Sequence, residues 1–78
     1  MHQMRVKFTR HARRRAKLYS LAEGRLADLV REAQPPAGTQ TILRDIPGVP
    51  YPVKIVVAVE EGCATVITTY PLKKGRKA

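Results

Sequence analysis

The chain has 78 residues, 44% of them hydrophobic, with a formal net charge of +9 and a pI near 10.5. A chain of that length makes one domain that buries only about 60% of its unfolded surface, yet it is too rich in apolar residues for a charged disordered segment. Its single cysteine, Cys63, excludes an intrachain disulfide framework and any multi-cysteine metal site. No run approaches the roughly 18 apolar residues of a membrane span, and the opening M-H-Q-M-R-V-K lacks the apolar stretch of a signal peptide. A cytoplasmic protein without membrane contact, metal or cofactor is expected.

Met4 to Phe8 reads as a short strand in which Met4, Val6 and Phe8 alternate with Arg5 and Lys7, so one face is buried and the other basic. Thr9 is placed to cap the helix that follows. At about 100° per residue, Arg10, Arg13, Arg14 and Lys17 gather on one side of that helix and Phe8, Ala12, Ala16 and Tyr19 on the other. His11 and Arg15, four apart, project side by side at the edge of the apolar stripe, where they would line a cleft. Between Arg5 and Lys17 stand seven cations and no acid. Cations in a first turn oppose the helix dipole, so Arg10, His11 and Arg13 argue for more than a solvated surface, although solubility alone explains Lys17.

Ser20 to Glu23, S-L-A-E, matches a capping box and predicts a break near residue 20 followed by a second helix. Ala22, Leu26, Leu29, Val30 and Ala33 form its apolar stripe, and Gln34 to Gly38, with two prolines, end it. Thr39 to Arg44 can form a strand, and Asp45 to Pro52 a proline-rich turn. Val53 to Val59 is the most β-like segment and predicts a central strand. A hairpin at Glu60 to Cys63 returns it antiparallel through Ala64 to Tyr70. The tail from Leu72 adds four cations without apolar pattern and is expected to be mobile. The reading is an α+β domain over residues 1–72: an N-terminal strand, two helices on one face of an antiparallel sheet, and a closing three-stranded meander, with a basic tail over 73–78.

No P-loop, dinucleotide fingerprint, nucleophile elbow or metal-ligand spacing is present. His2 lies too close to the terminus to pair with His11, and Cys63 has no context that would activate a thiol. Residues 18–72 hold four cations against six acids, so the positive field sits at the two chain ends. That distribution suits a polyanion.

The run F-T-R-H-A-R-R-R at residues 8–15 and the closing V-I-T-T-Y-P at residues 66–71 resemble a small uncharacterised domain family. Its members open on T-x-H-A-x-x-R and end on V-x-T-x-Y-P. The matched positions are Thr9, His11, Ala12 and Arg15, then Thr68, Tyr70 and Pro71. Relatives continue with an Arg-Gly-Ile-Ser turn where this chain has Tyr19, Ser20, Leu21 and Ala22. That family is similar to the RelE/ParE toxin superfamily, which implies a RelE-like fold, cleavage of RNA, and an acidic antitoxin as partner.

Two function classes follow. In the first the chain is a toxin-type ribonuclease, acting on mRNA free or on the ribosome without metal. His11 would move the proton, Arg15 would clamp the scissile phosphate, and Tyr70 would offer a hydroxyl or stacking face. Arg10, Arg13, Arg14, Lys17, Lys73 and Lys74 would hold flanking phosphates. In the second the same helix is a non-catalytic module that grips RNA, a ribosome or an acidic protein.

Overall fold

A computed structural model describes residues 4–72; Lys73, Lys74 and the rest of the basic tail lie outside the described residues. Six elements follow the expected order: β1 (Arg5–Phe8), α1 (Arg10–Leu18), α2 (Glu23–Ala33), β2 (Gly38–Arg44), β3 (Val53–Glu60) and β4 (Cys63–Pro71). The strands form one sheet in the order β1-β4-β3-β2.

The meander is antiparallel, with Ile42 opposite Ile55 and Val59 opposite Ala64. The sheet as a whole is not, because β1 pairs parallel with β4, Val6 beside Ala64 and Phe8 beside Val66. The expected all-antiparallel sheet is therefore corrected to a mixed one. The cause lies in the connection: Arg5, Gly38 and Cys63 all start their strands at the same end, where β3 finishes at Glu60. The two helices thus return the chain from the end of β1 to the level of its beginning. A parallel pair requires such a long crossover.

Alternation along the inner strands defines two faces. Val53, Ile55, Val57 and Val59 are buried beneath the helices with Ala64 and Val66, and Ala12, Ala16, Leu26 and Val30 close the core from above. The alanines of α1 let it lie close on β4. Thr69, opposite Ile55, is fully buried and its hydroxyl finds no partner among the described residues, a local cost in an otherwise apolar core. Ile46 and Val49 fold in from the proline-rich turn, which is closed by the Val49 N–H donating to the Ile46 carbonyl at 3.0 Å.

The break between the helices is real, but its expected device is not. Ser20 sits in the left-handed region at φ 57 and ends α1. The Ser20 N–H donates to the Lys17 carbonyl at 3.1 Å and the Leu21 N–H to the Ala16 carbonyl at 2.7 Å. This paired closure is a Schellman motif, and it seats Leu21 in the core at 6% exposure. Helix α2 starts from Ala22 with no side-chain cap, so the capping box reading of Ser20 to Glu23 is corrected. Ala22 is exposed, Ala27 is buried, and Leu29 and Ala33 are only partly covered, which shifts the stripe onto Leu26, Ala27 and Val30. The β3–β4 turn narrows to Glu61 and Gly62, both at positive φ (48 and 75), as a two-residue type I′ hairpin demands.

Candidate nucleic-acid interface

Helix α1 is fixed by one threonine. The Thr9 hydroxyl accepts from the Ala12 N–H at 3.0 Å, satisfying a first-turn donor, and itself donates to the Ile67 carbonyl at 3.1 Å. The Thr9 N–H donates to the Val66 carbonyl at 3.0 Å. Ile67 is free to accept because β4 carries a bulge there: Val57 faces Val66 and Val56 faces Thr68, leaving Ile67 without an opposite residue. The opening and closing motifs are thereby joined across 58 residues. Thr9→Ala, which loses both hydroxyl bonds, is expected to destabilise by about 1–2 kcal/mol, with Thr9→Ser retaining most of that. An alanine variant as stable as the parent in urea denaturation would contradict the clamp.

Held this way, α1 buries Ala12 and Ala16 and turns Arg10, Arg13, Arg14 and Lys17 to solvent. These four line an open groove of about 710 Å³ with Ala16, Leu21 and Glu23. The first turn holds no acid, so the helix dipole adds to the positive field. One acid reaches the groove: Glu23 Oε1 lies 3.9 Å from Arg13 Nε, both side chains well exposed. A pair so long and so open is worth little. Among the described residues the other ion pair is Arg31–Asp28 on α2, so Arg10, Arg14 and Lys17 keep their charge uncompensated by a close carboxylate.

His11 is exposed and Arg15 half-buried, one turn apart on α1. Neither lines the groove above, nor a second concavity of about 870 Å³ between β1, the end of α2 and the β3–β4 turn. The cleft expected beside them is not formed by either concavity. Tyr70 stands elsewhere. It is opposite Lys54, whose Nζ lies 5.7 Å from the ring centroid, and both alternate with buried residues onto the face that the helices leave uncovered. No hydrogen bond links His11, Arg15 and Tyr70 among the described residues. The structure brings His11 and Arg15 side by side but leaves Tyr70 across the sheet from them.

The uncovered face also carries residues that went unassigned in the sequence. Arg5 and Lys7 are exposed beside Cys63 and Thr65 of β4, in the same layer as Lys54 and Tyr70. Alternation in Met4 to Phe8 signals the basic side of β1, but nothing local reveals which strand it adjoins. No group of acids, histidines and cysteine among the described residues could hold a metal ion, and no helix among them is long and apolar enough to cross a membrane. No family model, curated protein or solved structure matches the chain.

Proposed function

We propose that this chain binds RNA through the outward face of α1. The observation that carries the reading is the row Arg10, Arg13, Arg14 and Lys17, exposed together along one groove with a single weakly engaged acid. Guanidinium groups donate in a fixed fork matched to phosphate oxygens, and three of them with a lysine ammonium offer successive contacts along a backbone. The helix that carries the cations is also held at both ends, since α1 is capped by Thr9 and closed by the Schellman turn. An acidic protein, such as the antitoxin implied by the resemblance to the RelE/ParE superfamily, would compete for the same groove.

The test is a titration of a fluorescently labelled single-stranded RNA with the parent and with Arg13→Ala, Arg14→Ala. The double variant is expected to bind at least about tenfold more weakly, because each charge-assisted contact is worth about 1.5–3 kcal/mol before solvent screening. Unchanged affinity would remove α1 from the interface.

A second reading, RelE-like ribonuclease activity, is favoured by one arrangement: an accessible imidazole at His11 one turn from the Arg15 guanidinium, on the helix that would hold the RNA. His11 would take the proton from a 2'-hydroxyl as its oxygen attacks the adjacent phosphorus. The bond from phosphorus to the 5'-oxygen breaks and that oxygen takes a proton from water, with the proton on His11 released to solvent, leaving a 2',3'-cyclic phosphate and a 5'-hydroxyl. Arg15 would bear the charge that builds on the phosphate oxygens. Tyr70, on the other face, has no part in such a step.

A further inference from the structure

The helix-free side of the sheet carries its own cations. Arg5 and Lys7 on β1 and Lys54 on β3 share it with Glu60 at the end of β3, and Glu61 of the adjoining turn lines a concavity with Arg5 and Lys7. Tyr70 is the aromatic of this layer, half-exposed with the Lys54 ammonium 5.7 Å from its ring centroid. An aromatic face flanked by cations is how sequence-tolerant single-strand binders hold a base and its phosphates together. Three cations against Glu60 and Glu61 leave this layer net positive, which favours a polyanion, and Leu43, 49% exposed and opposite Lys54, is a large aliphatic side chain of the layer.

Register alternation puts this layer on the side of the sheet opposite α1. Resting on the assignment of RNA to α1 made above, we propose that the chain has two separate single-stranded RNA surfaces, the arginine face of α1 and the Arg5–Lys7–Lys54–Tyr70 face, and holds two strands at once, one on each side of the core. The core between the surfaces keeps their sites independent.

The experiment uses the full chain and RNA strands of about six nucleotides, within the range of about 4–16 that such grooves engage. Stoichiometry is read by native mass spectrometry and calorimetry. Two equivalents are expected for the parent and one each for Arg5→Glu, Lys7→Glu and for Arg13→Glu, Arg14→Glu, with Tyr70→Leu weakening the sheet-face equivalent about tenfold. Should the β1 variant fail to fold in a thermal melt, Tyr70→Leu alone decides. One equivalent for the parent overturns the proposal. Loss of both equivalents in the α1 variant overturns it while sparing the α1 reading, and retention of both in that variant overturns the α1 reading and this proposal together.

Discussion

Alanine at Leu26 is expected to destabilise the fold by about 2–5 kcal/mol, the range for emptying a fully buried leucine site. Leu26 is at 0% exposure and is the largest of the fully buried side chains. It stands where α2 meets a sheet face that contributes Val53, Ile55, Val57, Val59 and Val66 to the core. Leu29→Ala, on a partly covered position, should cost less. Arg14→Ala should stay within about 0.5 kcal/mol, as exposed substitutions do. Urea denaturation of the three variants measures this order. A larger loss at Arg14 than at Leu26 would mean that the helix faces are assigned wrongly.

If His11 and Arg15 cleave RNA, His11→Ala and Arg15→Ala should each lower the rate by about 10² or more, the reach of a single acid-base or charge-stabilising group. Arg13→Ala should mainly weaken binding, since Arg13 belongs to the groove. Tyr70→Phe should leave cleavage unchanged, because its hydroxyl lies across the sheet from the pair. The assay uses RNA alone and RNA on translating ribosomes, with end-group analysis for the 2',3'-cyclic phosphate. Persistent cutting by the His11→Ala, Arg15→Ala double variant would remove both residues from the chemistry. Absence of cutting by the parent in either setting, alongside RNA binding, would leave α1 as a binding surface only.

The elements themselves were legible because their signals are local. The 3.6-residue spacing of Ala12, Ala16 and the cations placed α1, and the β-branched run from Val53 placed an inner strand. Thr9 was legible as a cap because capping is settled within four residues. The Ser20 to Glu23 pattern misled because a serine can serve either the helix behind it or the one ahead. Burial of Leu21 through the Ser20 turn decided for the helix behind. Parallel pairing of β1 with β4 was not legible, since it depends on where two helices deliver the chain and leaves no trace in either strand's composition. The same gap hid the Thr9 bond to Ile67 and the meeting of Arg5 and Lys7 with the Lys54–Tyr70 layer. The separation of Tyr70 from His11 was equally hidden. A one-residue bulge in β4 sets which way each side chain after Ile67 points.

The salt dependence of RNA affinity tests the central claim, that α1's exposed cations neutralise phosphates. Each phosphate neutralised on a single strand contributes about −0.7 to the slope of log affinity against log salt. Arg10→Ala, Arg13→Ala, Arg14→Ala in one chain should flatten that slope by about 2 relative to the parent, with the fold intact because all three side chains are exposed. A parent whose affinity ignores salt, or a triple variant with the parent's slope, would contradict the account.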